Sequence, residues 1–477
     1  MKRRLQPWLV ALTVVATGAQ IAPAAGDVVT AASSATTSCA ARPSTNQSSP
    51  RLESYTPVNP KRLVDTRDGT GGVRGKLGAG CTLALQLATS DVPAQAAAVT
   101  ISLTVVTDER GYFAAFPCES GNPGTSNVNA RGGGLATPGL VVTALDDARR
   151  ICIYSSHGGD VIVDLNGWWA TSGPNRHSSV HPFRAYDTRE PPGAARVRGG
   201  ETRGISLADT TVPVGATAAA MNLTVVGADE PGHIVIFPCG FSAPLASNLN
   251  VLAGEARAVA AIVGLDSTGG LCVRPSTDVH VVIDVNGYFG ATPQFGVTSG
   301  LQPVTGVRLA DTRSGDGPWD RPFTTDSVRA FRPLAGTGAS ANTTTVLLNI
   351  VTTNTTTPGW VAAFPCGTQV PLVSSVNFWG PGEAMNLVPV KLSQSGEVCV
   401  KASAPADVVI DLYGTIAPET GVVAERLTLG NQRAFPPLTG DGTDYAVHCG
   451  AGTTAVDVAL DLVPGATAVV PAPQWTA

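Results

Sequence analysis

The hydrophobic pattern of this chain has the two-residue period of β-strands. Between residues 99 and 105, apolar Val, Ile, Leu and Val alternate with Thr, Ser and Thr, as in a strand that is buried on one face. Residues 221–225 repeat the alternation, and short β-branched runs separated by Gly, Pro and Asp continue through most of the chain. No long stretch of this region keeps a helical period. The pattern therefore predicts an all-β fold.

Three copies of one set of landmarks divide the chain. An Asp-Thr-Arg triplet begins at Asp65, Asp187 and Asp311, an interval of about 120 residues that is too long for a solenoid unit. Phe-Pro-Cys follows at 116–118, 237–239 and 364–366, a Ser-Asn-x-Asn-like segment at 126–129, 247–250 and 374–377, and an Asp-x-x-Gly motif within 163–167, 283–287 and 410–414. We expect three tandem modules.

The landmarks set the predicted domain boundaries. They are a signal peptide at 1–24, a Ser/Thr/Ala/Pro-rich spacer at 25–56, modules at 57–170, 178–290 and 300–416, and a degenerate or truncated fourth module at 420–477. About eight short strands per module favour an antiparallel β-sandwich of jelly-roll type, with a closed β-barrel as the second choice.

The amino terminus is typical of an export signal. A basic stretch at residues 2–4 precedes an apolar run at 9–15 and a small-residue Ala-Pro-Ala site at 22–24. A retained anchor or lipoprotein is the alternative, but polar residues interrupt the run early and Cys39 lies too far downstream for lipidation. We expect a secreted or cell-wall-associated protein with no membrane span in its mature form.

The cysteines fit export. Each module carries one matched pair separated by 33 or 34 residues, and in an exported protein such pairs are read as disulfides worth roughly 3–4 kcal/mol each. These pairs are Cys118 with Cys152, Cys239 with Cys272, and Cys366 with Cys399. A metal site, the competing interpretation, would need clustered ligands that are absent. The other three cysteines have no counterparts in the other copies, and their pairing is open. Cys39 with Cys81 would attach the spacer to the first module and leave Cys449 as a free thiol or for an intermolecular bridge.

Composition and motifs restrict the function. Charged residues make up only 14 % and the net charge is −5, which argues against a nucleic-acid partner. None of the common hydrolase, zinc-protease, phosphate-loop or dinucleotide signatures occurs, so no catalytic, cofactor-binding or metal residue is predicted.

The repeated polar residues allow two interpretations. The Asp-Thr-Arg, Ser-Asn-x-Asn and Asp-x-x-Gly segments could converge on a pocket for Ca²⁺ or sugar hydroxyls. A structural role is the stronger interpretation, because Asp65 and Arg67 lie two apart on one face of a strand, where the guanidinium can pair the carboxylate bidentately.

Aromatic residues offer the one candidate ligand contact. Trp319 and Trp379 belong to the third copy alone, and if exposed together they could stack on sugar rings. Ordinary core or surface positions are the competing interpretation.

Residues 57–414 resemble repeats of secreted and cell-wall-associated actinobacterial proteins. The resemblance rests on Leu-Val-Asp-Thr-Arg at 63–67, the Phe-Pro-Cys and Ser-Asn-x-Asn segments, and Val-Asn-Gly-Tyr-Phe at 285–289. It implies an exported accessory module without an established activity. The third copy departs from the pattern at 413–415, where the final aromatic pair is missing.

Together these observations predict a non-enzymatic extracellular protein. Its modules would bind a cell-wall polysaccharide or a surface protein, or act as spacers, and repetition would add avidity. The alternative is an extracellular hydrolase with a cryptic site in one module.

Overall fold

The computed structural model describes residues 33–39, 52–171, 173, 175–191, 195–290, 299–337, 339–340 and 342–418, with the backbone of four short strands beyond them. The predicted signal peptide lies outside these residues. Within residues 420–477, the proposed fourth module, only strands β26 (Ala424–Thr428), β27 (Ala434–Phe435), β28 (Ala446–Val447) and β29 (Ala459–Leu462) are described, with β26 paired to β29 and β27 to β28.

The all-β prediction is confirmed, and each repeat contains eight strands. Repeat 1 contains β2 (Ser54–Asp65), β3 (Thr82–Gln86), β4 (Ala96–Thr107), β5 (Arg110–Pro117), β6 (Val128–Arg131), β7 (Leu135–Ala144), β8 (Arg150–Ser155) and β9 (Asp160–Ala170). Repeat 2 contains β10 (Arg176–Asp187), β11 (Arg203–Ser206), β12 (Ala216–Val226), β13 (Gly232–Pro238), β14 (Leu249–Val251), β15 (Ala256–Gly264), β16 (Gly270–Pro275) and β17 (His280–Gly290). Repeat 3 contains β18 (Ser299–Asp311), β19 (Val328–Phe331), β20 (Thr345–Thr355), β21 (Gly359–Pro365), β22 (Val376–Phe378), β23 (Gly382–Lys391), β24 (Val398–Ala402) and β25 (Asp407–Pro418). The described helical structure is one 3₁₀ turn, Cys118–Ser120.

Every repeat builds two small antiparallel sheets. One sheet, called axial here, has the strand order β2-β9-β4-β7, and its counterparts are β10-β17-β12-β15 and β18-β25-β20-β23. The other sheet, called peripheral, has the order β3-β8-β5-β6, and its counterparts are β11-β16-β13-β14 and β19-β24-β21-β22. Because consecutive strands of a repeat often alternate between its two sheets, no sheet is a simple meander.

The six sheets close into a ring. Within each repeat the axial and peripheral sheets share one apolar cluster. Between repeats, peripheral strand β14 packs against axial strand β7, β22 against β15, and β6 against β23. The ring is therefore completed by contacts between repeat 1 and repeat 3.

This arrangement corrects the predicted fold class. The chain is organised as a six-bladed β-propeller of small sheets, not as three separate tandem sandwiches of jelly-roll type, and none of the described sheets closes on itself as a barrel would. The physical reason lies in strand β4, whose polar residues were expected to face solvent. Thr100, Ser102 and Thr104 are buried, because that face of the axial sheet packs against the other repeats.

A central apolar cluster fills the middle of the ring. The edge strands β7, β15 and β23 contact one another there. The cluster contains Tyr55, Ala98, Leu140, Val142 and Trp169 of repeat 1, Ala218, Ala220, Ala260, Ile262 and Phe289 of repeat 2, and Leu301, Leu347, Leu387, Tyr413 and Ile416 of repeat 3. Since no repeat can bury these side chains alone, the three copies depend on one another.

Disulfides join all three predicted pairs, Cys118–Cys152, Cys239–Cys272 and Cys366–Cys399. A fourth links Cys39 to Cys81, the pairing suggested for the spacer. Part of that spacer is a strand, because β1 (Ser34–Ser38) pairs with β3 at the edge of the first peripheral sheet. Cys449 lies outside the described residues.

Within the described part of the chain, no helix is long and apolar enough to cross a membrane.

Candidate functional site

The Asp-Thr-Arg triplet forms part of an ion cluster that occurs in every repeat. In repeat 1, Arg67 donates from Nε and Nη2 to the two oxygens of Asp65 at 2.9 and 2.7 Å. Arg62 donates from Nη1 to Asp65 at 3.0 Å, and from Nε and Nη2 to Asp164 at 2.8 and 3.1 Å. The predicted Asp65–Arg67 pair is thus present, and Asp164 joins it through Arg62.

The bridging arginine was missed in the sequence, although it recurs three residues before each triplet. The same four-residue cluster consists of Arg184, Asp187, Arg189 and Asp284 in repeat 2, and of Arg308, Asp311, Arg313 and Asp411 in repeat 3.

The electrostatics of this cluster favour a structural role. The hydrogen bonds from Arg189 outweigh burial and lower the pKa of Asp187 to about 2. Burial raises the pKa of Asp284 even though Arg184 opposes the rise. Both carboxylates already accept hydrogen bonds from guanidinium groups on both of their oxygens, so the cluster offers no open carboxylate to a cation.

The Ser-Asn-x-Asn segment holds its own loop and does not join the cluster of its repeat. Asn127 Oδ1 accepts a hydrogen bond from the backbone N–H of Ala115 at 2.7 Å, and Asn248 Oδ1 accepts one from the backbone N–H of Ile236 at 2.9 Å. The third copy, which has Ser375 at this position, accepts the N–H of Ala363 at 3.0 Å.

The same loops connect neighbouring repeats. Asn222 Nδ2 donates to the carbonyl of Ser374 at 2.6 Å, and Asn349 Nδ2 donates to the carbonyl of Ser126, also at 2.6 Å. Repeat 1 has Ser102 at this position, which accepts instead from Asn166 of its own repeat at 2.9 Å.

Aromatic residues at the repeat ends build the centre of the ring. Tyr55 lies 4.7 Å from Trp169 and 4.9 Å from Phe289, measured between ring centroids. In repeat 3, where the aromatic pair is missing, Ile416 fills the corresponding place. Tyr413 donates from its hydroxyl to Thr125 of repeat 1 at 2.8 Å.

His177 is an unusual member of this centre. It is buried, its ring lies 5.1 Å from that of Phe289, and neither ring nitrogen has a hydrogen-bond partner in the part of the chain that the structure describes. Burial lowers the pKa of His177 to about 3, so the imidazole is neutral at physiological pH.

The two tryptophans do not form a shared exposed surface. Trp319 is only 7 % exposed and packs edge-on against Phe323 and Phe331, each at 5.1 Å between centroids. Trp319 was considered a possible ligand contact, but the apolar core of repeat 3 encloses its ring. Its ring is therefore not available to a ligand. Trp379 is 57 % exposed and stays a candidate.

Trp379 lies in one of three equivalent loops, and side-chain contacts next to these loops join repeat 1 to each of the other two repeats. These loops connect β6 to β7, β14 to β15 and β22 to β23. Arg131 donates from Nη1 to Glu255 at 2.7 Å, joining repeats 1 and 2, and Asn129 donates to Glu383 at 2.9 Å, joining repeats 1 and 3. We call this region of contact between repeats the axial rim and define it by Asn129, Arg131, Glu255, Arg257, Trp379 and Glu383.

Arg257 is the unpaired charge of the axial rim. Its Nη1 is shielded from solvent and has no hydrogen-bond partner among the described residues, and the same is true of Arg131 Nε. Burial, with the nearby Arg131 adding to it, lowers the pKa of Arg257 to about 10. Glu255 offsets little of this charge at Arg257, since its carboxylate binds Arg131 and the backbone N–H of Leu252.

Among the residues that the structure describes, no three His, Cys, Asp or Glu side chains are grouped so as to hold a metal ion.

Comparison with known proteins adds no family to this description. Neither the protein-family models nor the curated proteins searched contain a match to the chain.

Proposed function

We propose that this protein is a non-enzymatic extracellular binding protein whose ligand is a cell-wall polysaccharide or a surface protein. The observation that carries the proposal is the axial rim, where repeat 1 contacts both other repeats and where Trp379, in the adjoining loop of repeat 3, is exposed. An exposed indole beside polar groups is a common arrangement at binding surfaces.

Two further features support this role. The four disulfides suit an oxidising compartment outside the cell. The repeated carboxylates, which a hydrolase would need free, are neutralised by arginine in every repeat. The resemblance to actinobacterial wall-associated repeats makes the cell wall the first place to look for the ligand.

The test is retention on purified cell walls and insoluble polysaccharides. Trp379→Ala should weaken retention by roughly 5- to 10-fold, the value of one aromatic contact. The matched control is Leu372→Ala, which removes a side chain that is 93 % exposed but lies in a different loop, and its retention should equal that of the parent protein.

Two results, obtained together, would overturn this proposal. If the protein is retained on no wall fraction and yet releases soluble products from one, the hydrolase alternative replaces binding.

A further inference from the structure

Two guanidinium groups with buried, unpaired N–H donors lie together at the axial rim. Arg131 and Arg257 carry two positive charges against the single carboxylate of Glu255. Orphaned donors of this kind cost free energy unless a partner accepts their hydrogen bonds. The described protein groups around Arg257 supply none.

An acceptor with negative charge would satisfy these donors and also balance the excess positive charge of the pair. Carboxylates and sulfates match the planar fork of arginine and form its strongest hydrogen bonds. The other ion clusters of the ring show the same preference, since each of their arginines binds aspartate oxygens through two nitrogens.

The site is not sealed from solvent. The side chain of Arg131 is 19 % exposed, and that of Glu255 is 11 % exposed. Arg131 and Arg257 are both partly exposed, so an oxyanion at the rim can contact these two side chains, although their unpaired nitrogens are shielded. Trp379 lies in the hairpin that also carries Glu383, and Glu383 accepts a hydrogen bond from Asn129, two residues before Arg131.

We infer that the axial rim binds an acidic glycan, whose carboxylate or sulfate group is held by Arg131 and Arg257 and whose sugar ring contacts Trp379. This rests on the proposed binding function and names the chemistry of its ligand. Trp379 gives the sugar an apolar face to lie on, and the arginine pair selects acidic sugars over neutral ones.

The experiment measures binding of polygalacturonate, heparin, neutral dextran and polyglutamate to the full chain by calorimetry at fixed salt. The two acidic glycans should bind and dextran should not. Arg257→Gln should weaken acidic-glycan binding by about 10-fold or more, since a charge-assisted hydrogen bond is lost, while Arg257→Lys should lose less.

The matched control is Arg321→Gln. It removes the same charge from a side chain that is 78 % exposed outside the axial rim, and it should bind as the parent protein does. Stability without ligand provides a second readout. Because Arg257 has no partner, Arg257→Gln should unfold at the parent's denaturant midpoint or above it, whereas an arginine with a purely structural role would lower that midpoint.

The outcomes separate the two proposals. If dextran binds as well as polygalacturonate and Arg257→Gln has no effect, the anion site is wrong and the binding function stands. If polyglutamate alone binds, the rim recognises acidic protein and the glycan inference fails. If none of the four polymers binds but purified walls retain the protein, the anion site is again wrong.

Discussion

Position 177 shows how a single residue separates three otherwise similar repeats. The equivalent positions, next to the last strand of each repeat, hold Tyr55 and Leu301. Tyr55 donates its hydroxyl to the carbonyl of Asn166 at 3.0 Å, and Leu301 needs no partner. His177 differs from both, because it is a polar ring that is buried without a described hydrogen-bond partner. Its burial therefore makes the stability of the fold depend on pH.

The sign of that dependence follows from the lowered pKa. The unfolded chain takes up a proton on His177 below about pH 6.5, whereas the folded chain does so only near pH 3. Stability from the neutral ring is therefore complete above pH 6.5 and is lost progressively as the pH falls toward 3.

Replacing this histidine should remove the effect. We expect His177→Leu, which copies repeat 3, to reduce the loss of stability between pH 7.5 and pH 4.5 by about 2–3 kcal/mol. Urea midpoints of parent and variant at both pH values measure it. Parallel pH profiles for the two proteins would show that His177 has a partner in solution.

The ion clusters show which residue roles can be read from sequence. Asp65 and Arg67 could be paired because two residues on one face of a strand meet predictably. Trp319 could not be placed, since its burial depends on Phe323 and Phe331 of its own core, which no local pattern links to it.

At the scale of elements, the junctions between neighbouring repeats depend on single side chains. Asn222 donates to the carbonyl of Ser374 and accepts from Asn386 at 2.8 Å, so its amide is satisfied across the boundary between repeats 2 and 3. Repeat 1 has Ser102 at this position, and its described contact is with Asn166 of its own repeat.

Giving repeat 2 the residue of repeat 1 tests this junction. Asn222→Ser should lower the free energy of unfolding by about 1–3 kcal/mol, because the partly buried Ser374 carbonyl loses its partner and the buried Asn386 amide loses one of its two acceptors. Chemical denaturation measures the change, with the exposed substitution Thr356→Ser as control. Equal stabilities would mean that water replaces the amide.

The strands themselves were predictable, but their environment was not. Alternation along β4 predicted a strand correctly and wrongly assigned Thr100 and Ser102 to solvent. Trp169 donates its indole N–H to Thr100 at 2.8 Å, and Ser102 bonds Asn166, so these polar residues have buried partners. The alternation of apolar and polar residues shows that the two faces of a strand differ in polarity, but it does not show what packs against each face.

At the scale of the whole molecule, closure of the ring could not be derived from the repeat pattern. The Asp-Thr-Arg ion clusters stabilise each copy internally, and the Ser-Asn-x-Asn loops also accept hydrogen bonds from the neighbouring copy. The central contacts between copies use residues that differ from one copy to the next. Equivalent places in the centre of the ring hold different side chains, namely Trp169, Phe289 and Ile416. A comparison of the copies therefore does not reveal these positions as a common interface.

An isolated repeat should therefore self-associate. Residues 175–290 expressed alone would expose Ala220, Ile262 and Phe289 of the central cluster, and patches of this kind promote association. We expect self-association in size-exclusion chromatography and binding of a hydrophobic dye, neither of which the full chain should show. A monomeric, dye-negative repeat would support independent modules instead.

The bridge between Glu53 and Leu301 brings the two ends of the ring together. Each residue donates its backbone N–H to the carbonyl of the other at 2.8 Å, and Ser299 pairs with Pro418 beside them. Anything fused to either terminus of the ring thus departs from one neighbourhood. The molecule has a natural attachment point there, and the order of its repeats could be cyclically rearranged without changing which blades adjoin.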